Sequence, residues 1–315
     1  MGILGRNRGI ILVGVIVVTI IGSALVFYSG LQSAQNGDAL KIVTTFYPLS
    51  YFAVQLGGEK VQVSTLIPYN SEVHSWQPSI SDITETEDSE VIIYLGAGLD
   101  HWMQDDILQS INIEGKTIVE ASIGITMLQG VVEEKGEPPD ELDPHLWVCP
   151  YTADQIAGNI YDALIKADPE NTQYYTENWR HLHETFTGLD EMYETELQLA
   201  AGKTFFTTHS AYNYVADRYG LKQYGVIGLS ADEQPSTAKI AEIVEQMTQD
   251  NSYVIYIDPV YSDQYAQTLK TELNARTGHN VEILKLYLML GPLDDLDYVG
   301  QLEANLNNLK KGLLE

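Results

Sequence analysis

The sequence predicts an α/β protein built as two similar lobes, each with a mostly parallel four-stranded sheet and flanking helices, joined by one long backbone helix. Three observations carry this. Short β-branched runs ended by glycine or proline alternate with stretches of helical period, the signature of parallel strands linked by crossover helices. The alternation stops after residue 168 and restarts after residue 202. Between the two halves, Tyr175, Trp179, Leu182, Phe186, Leu189 and Tyr193 recur at spacings of three and four, one apolar stripe on a single long helix.

In the first half, KIVTTFYP at 41–48 reads as a buried strand ended by proline, followed by a short helix over 49–56 that stops at Gly57-Gly58. VQVSTLIP at 61–68, VIIYLGAG at 91–98 and KTIVEAS at 116–122 are the next three strands. Thr152 to Gln155 has the form of a capping box, which predicts a helix from about residue 153. Asp168-Pro169 is a second helix start, an N-cap followed by proline. A helix over 169–199 would be roughly 46 Å long at 1.5 Å per residue, long enough to cross two lobes. In the second half, strands are expected at 203–209, 222–229, 252–258 and 279–288. Helices are expected at 211–220, 237–249 and 262–276, with a last one carrying Leu302, Leu306, Leu309 and Leu313.

Ahead of all this, residues 9–28 hold no charge. As a helix they span about 30 Å, the thickness of a membrane's hydrocarbon core. Arg6 and Arg8 precede the run and no basic residue follows before Lys41, so the bulk of the chain is placed outside the cell membrane. Residues 1–30 therefore read as a signal or membrane anchor, with an uncleaved anchor favoured. Residues 31–40 read as a tether, 41–168 as the N-terminal lobe, 169–199 as the linking helix and 200–315 as the C-terminal lobe.

Formal net charge is −27 over 315 residues, and nearly all of it lies beyond the apolar run. Such a surface repels nucleic acid and anionic lipid and attracts cations; acidity also serves solubility alone. The single cysteine, Cys149, excludes an internal disulfide and a cysteine-rich zinc module.

Seven histidines remain to be placed. His74, His145 and His209 each fall at or just beyond the expected C-terminal end of a strand, where open α/β sheets place their binding sites. Converging in the cleft between the lobes, they would form a three-nitrogen site suited to Zn²⁺, with one tetrahedral position over. Spacing alone leaves this level with three unrelated histidines at loop ends. The others have less to offer: His181 and His183 point to different faces of one helix, the HExxH pattern fails at Thr187, His101 begins a helix and His279 sits in a turn.

Several stretches then fall into a known order. TTFYPLSYFAVQLGGEKVQV, VHSWQPSISD, VIIYLGAGLDHW, DPHLWVCP, THSAYNYVADRYGL and YVIYIDPVYS resemble the zinc- and manganese-binding solute receptors of ABC importers, over about residues 41–313. The Asp-Pro-His-hydrophobic-Trp segment is the most specific of these. The resemblance implies two α/β lobes on one backbone helix, metal in the interlobe cleft, and His74, His145 and His209 as ligands, with Asp143 supporting His145. Histidine at position 209, where manganese receptors carry glutamate, points to Zn²⁺, with Mn²⁺ as the alternative. It also implies an ABC permease and its ATPase as partners, a monomer at the extracytoplasmic face of the membrane, no nucleic acid and no enzymatic activity.

The sequence departs from the pattern in three places. The family's fourth ligand, an aspartate expected near Leu290-Gly291-Pro292, does not stand there, and Asp294 and Asp295 come a few residues late; Asp258 is taken as the fourth ligand, with water and Glu72 as the other choices. The acidic stretch 131–143 holds no histidine. Cys149 stands where an acid is common, and is read as a small buried residue. Three other classes are weighed. A zinc-dependent hydrolase would share a three-histidine site, but no general base or Gly-x-Ser-x-Gly motif stands out. A dinucleotide-binding oxidoreductase fails because Gly96-Ala97-Gly98 lacks its third glycine. A metal-dependent surface adhesin or scaffold on the same fold stays open, since fold does not fix function.

Overall fold

The strands form because runs such as Ile42-Val43 and Val91-Ile92-Ile93 are apolar on both faces, which suits parallel strands covered by helices on both sides. In the computed structural model, which describes residues 39–130, 142–228 and 235–315, they make two four-stranded, all-parallel sheets. The first contains β1 (Leu40–Thr44), β2 (Val61–Thr65), β3 (Val91–Tyr94) and β4 (Thr117–Glu120) in the order β2-β1-β3-β4. The second contains β5 (Thr204–His209), β6 (Lys222–Ile227), β7 (Val254–Ile257) and β8 (Glu282–Lys285) in the order β6-β5-β7-β8. The second lobe thus repeats the topology of the first. In each, the chain runs to one side of its first strand and then to the other, which opens a crevice at the carboxyl end of that strand. The apolar run at 9–28 and the acidic stretch 131–141 lie outside the described residues. Among the described residues no helix is long and apolar enough to cross a membrane.

The helices are α1 (Tyr47–Gly57), α2 (Ile80–Glu87), α3 (Leu108–Ser110), α4 (Pro150–Ala167), α5 (Thr172–Leu197), α6 (Asn213–Arg218), α7 (Thr237–Gln249), α8 (Gln264–Thr277) and α9 (Tyr298–Leu314). Pro48 does not so much end β1 as sit in the first turn of α1, where its missing N–H costs nothing. The same holds for α4, which starts at Pro150 with Cys149 as N-cap, three residues earlier than the capping-box reading. Thr152 instead turns its hydroxyl to the carbonyls of Leu146 and Cys149. Helix α2 went unforeseen. Its signal is a capping box, Ser79 with Asp82, in which the Ser79 amide donates to the Asp82 carboxylate at 2.6 Å.

The spine α5 has 26 residues, about 39 Å, with a 3-10 turn at each end (Pro169–Asn171 and Gln198–Ala200). Its buried stripe is Tyr175, Leu182, Phe186, Leu189, Tyr193 and Leu197. Phe186 meets Phe52 of α1 and Tyr298 of α9 edge-on, at ring separations of 5.5 and 6.1 Å. The Tyr193 hydroxyl donates to the Leu302 carbonyl of α9 at 2.6 Å. One apolar core therefore runs from Leu40 through the spine to Leu313, and residues Leu40–Glu315 hold together as one compact unit. A smaller core, around Phe206, Ile243, Met247, Ile255 and Leu269, fills the far face of the second sheet. With a shared core, opening the lobes widely would expose large apolar area to water.

The lobes also meet at the loops. The Asn70 amide donates to the Leu290 carbonyl at 2.8 Å and its side chain to the Pro292 carbonyl at 3.1 Å. Gly291 lies so close that a Cβ there would stand 2.8 Å from Tyr69 Cβ. Gly291→Ala is therefore expected to destabilise the protein by about 1–3 kcal/mol, the usual cost of overpacking. A chemical denaturation curve checks it, and an unchanged midpoint would show the loop gives way freely.

Candidate metal centre

Three strand ends build the site. His74 follows β2, His145 follows β4 in the DPHLW segment, and His209 is the last residue of β5. The fold brings all three together: one ring nitrogen from each lies within 4.8 Å of the others. The ring centres of His74 and His145 are 5.0 Å apart, those of His145 and His209 also 5.0 Å, and those of His74 and His209 5.9 Å. His145 is fully buried and His209 nearly so, while His74 lies at the mouth. The Nε2 atoms of His74 and His145 are 3.2 Å apart. Two nitrogens bound tetrahedrally to zinc at 2.0–2.1 Å stand roughly 3.3 Å apart, so this pair already has the spacing of two ligands to one ion.

The electrostatics keep the His74 ring neutral. Burial, then the neighbouring His145 and His209, push the His74 imidazolium down to about 2, so the ring offers a lone pair at any physiological pH. For His145 the orientation is fixed by Asp143, whose Oδ1 accepts from the His145 backbone N–H at 2.9 Å and meets its Nδ1 at 2.8 Å. With Nδ1–H engaged there, Nε2 is left to face the cleft. His74 has a related carboxylate two residues earlier: Glu72 Oε1 accepts from the His74 amide at 2.8 Å. The other oxygen, Oε2, is buried with no hydrogen-bond partner among the described residues. A cation would satisfy such an oxygen, although Glu72 does not join the three-histidine group among the described residues.

Asp258 is placed differently from its expected role as a ligand. It does not join the three histidines as a ligand group among the described residues. Its Oδ1 accepts from the Val260 amide at 2.6 Å and its Oδ2 from the Leu288 amide at 2.5 Å. Burial pushes its carboxyl up to about 7; those two amides pull the other way, and the negative Glu72 adds to the rise. Asp258 thus fixes the loop after β8. That loop in turn accepts the Trp147 indole N–H on the Leu288 carbonyl at 2.7 Å, so the DPHLW segment is clasped from the second lobe. Cys149 is buried as expected, its thiol pushed up to about 11 by burial, which keeps it a neutral thiol rather than a thiolate ligand. His181, His183 and His279 lie away from the cleft on exposed surface, where His279 stacks on Tyr253.

Sequence reasoning missed Asn213 and Tyr214. The Asn213 side-chain amide donates to Asp143 Oδ2 at 2.9 Å, and the Tyr214 hydroxyl donates to the Asp143 carbonyl at 2.7 Å. Their only sequence signal is position, four and five residues past His209.

With this geometry in hand, comparison with known proteins places the chain. The family model described as zinc-uptake complex component A, periplasmic, matches residues 42–312. The chain belongs to this family. It is 34% identical over 289 residues to the high-affinity zinc uptake system protein ZnuA of Bacillus subtilis, covering 89% of each chain. It is 30% identical to the zinc-binding lipoprotein AdcA of Streptococcus pneumoniae, where it spans 56% of the longer relative's length. Among solved structures, the Zn(II)-bound ZnuA-like domain of S. pneumoniae AdcA is similar over 88% of this chain and all of that one, with 29% identity and a TM-score of 0.74. The family's fold is the two-lobed one seen here, and the sequence resemblance to zinc and manganese receptors is borne out at the level of the family.

Proposed function

We propose that this protein captures Zn²⁺ outside the cell membrane, without chemistry on it, and hands the ion to an ABC-type permease driven by its ATPase. The observation that carries this reading is the convergence of three imidazoles, His74, His145 and His209, with one ring nitrogen of each within 4.8 Å of the others. Three nitrogens and one remaining position suit zinc; a manganese site would draw on more carboxylate oxygen. In this reading the three histidines are the ligands, Asp258 stiffens the loop beside them, and water or a carboxylate drawn in with the ion fills the fourth position. Relatives named for zinc uptake and zinc binding support the choice of ion.

We read the protein as a monomer held at the extracytoplasmic face by the apolar run at 9–28. The tether would raise its effective concentration near the permease. The division into lobes at 41–168 and 200–315 with a linking helix at 169–199 belongs to the same reading. Binding rather than hydrolysis is favoured because the relatives are named for zinc uptake and zinc binding, and Asp143, beside His145, is committed to the N–H groups of His145 and Asn213.

The test is a zinc titration of metal-stripped protein with Mn²⁺ as competitor. One zinc per chain, held against a large excess of Mn²⁺, is expected. No binding of either ion would remove the receptor reading and bring forward a surface adhesin or scaffold on this fold. Displacement by equimolar Mn²⁺ would make it a mixed or manganese receptor.

A further inference from the structure

We propose that Asn213 is a positioning residue for the metal, acting through Asp143 to set His145 relative to His209. The proposal rests on the zinc-receptor reading above. Asp143 is fully buried, and no Lys or Arg is paired with it among the described residues. A buried carboxylate is tolerable only when its lone pairs are hydrogen-bonded. Oδ1 serves His145, through both the backbone N–H and Nδ1. Oδ2 is served by the Asn213 amide, from the other lobe, at 2.9 Å. The orientation of the carboxylate plane, and with it the direction in which His145 Nε2 points, is thus fixed from both lobes.

The segment that carries Asn213 also carries His209. Between them, the Tyr212 amide donates to Gln223 Oε1 at 2.8 Å, and the Gln223 amide donates back to the His209 carbonyl at 3.0 Å. The Tyr212 hydroxyl is held on the Leu286 carbonyl at 2.6 Å. This stretch is therefore stiff, and Asn213 stands at a fixed offset from His209. On the other side, the Asp143 amide donates to the Leu128 carbonyl at 2.9 Å, while the Tyr214 hydroxyl bridges the Asp143 carbonyl and the Leu128 amide. Two metal ligands from different lobes are thus linked through His209, the 209–213 segment, Asn213, Asp143 and His145. Such a link fixes two of the three imidazoles relative to each other before the ion arrives, which favours tight binding through preorganisation.

The experiment compares wild type, Asn213→Ala, Asp143→Ala and the double variant in the full chain. It measures zinc affinity and dissociation rate, and ¹⁵N NMR of the His145 ring in metal-free protein. Asn213→Ala is expected to weaken zinc about tenfold, at the low edge of what loss of an outer hydrogen-bond partner costs, mainly by faster release. The His145 ring signals should shift without zinc present, and the double variant should bind no worse than Asp143→Ala. A merely structural Asn213 would lower the melting temperature but leave the ring signals in place and add its effect to that of Asp143→Ala; either result overturns the proposal. Wild-type affinity in Asn213→Ala overturns it as well. A wild-type chain that binds no zinc would overturn the receptor reading and the metal half of this proposal together. The ring signals of the metal-free protein separate that failure from failure of the Asn213–Asp143–His145 link.

Discussion

His145→Ala is expected to cost more zinc affinity than the roughly 10–100-fold lost when an outer hydrogen-bond partner of a ligand is removed. The reason is that His145 sits at the centre of the cluster. Its ring lies 5.0 Å from each of the other two, and its Nε2 is the atom paired with His74 Nε2 at 3.2 Å. Its removal leaves two ligands where zinc prefers four. Alanine also takes the ring donor from Asp143 Oδ1, so the metal-free protein should lose about 1–3 kcal/mol of stability. The two effects separate experimentally: isothermal titration reports the first and denaturation of stripped protein the second. His279→Ala, on exposed surface and stacked on Tyr253, serves as the control and should bind zinc as wild type does. Retention of wild-type affinity by His145→Ala would place the ion elsewhere.

Phe186→Ala is expected to be the most damaging single change to stability, about 3–5 kcal/mol. Phe186 is fully buried on the spine, edge-on to Phe52 of the first lobe and to Tyr298, which begins the last helix of the second. Phe52 and Tyr298 themselves meet at 4.9 Å. The three rings close a junction between both lobes and the helix that joins them, so neighbours on three elements are pinned and little collapse can fill the void. At this chain length the melting temperature should fall on the order of 10 °C. Because the core is continuous across the junction, unfolding should stay a single transition. A loss below about 1 kcal/mol, or two resolved transitions, would mean the lobes are stabilised separately.

Much of this was legible in the sequence, for physical reasons. Parallel strands buried on both faces show as unbroken apolar runs, so all eight were found, all but β5 drawn too long at the end. The run at 91–98, for example, stops at Tyr94 because Gly96 takes φ +79° at a turn against Glu120, where a side chain has no room. The spine was legible because one stripe of six buried residues repeats through it. His74, His145 and His209 were legible as candidates because each stands at or beyond the carboxyl end of a strand. Proline was the main source of misplaced boundaries: Pro48 and Pro150 open helices, where the sequence reading gave them to a strand end and to a loop. The expectation for Asp258 followed from its place after a strand, but its carboxylate is spent on the amides of Val260 and Leu288, and Leu288 is 30 residues away. Partnerships of that range, like Asn213 with Asp143 or Trp147 with Leu288, carry no local period and become visible only once the chain has folded.

The most direct measurement is anomalous diffraction at the zinc absorption edge from crystals of the zinc-loaded protein. A single strong peak bonded at about 2.0–2.1 Å to one nitrogen each of His74, His145 and His209 is the predicted result. A cleft without a zinc peak, or a zinc ion bound without His145, would contradict it.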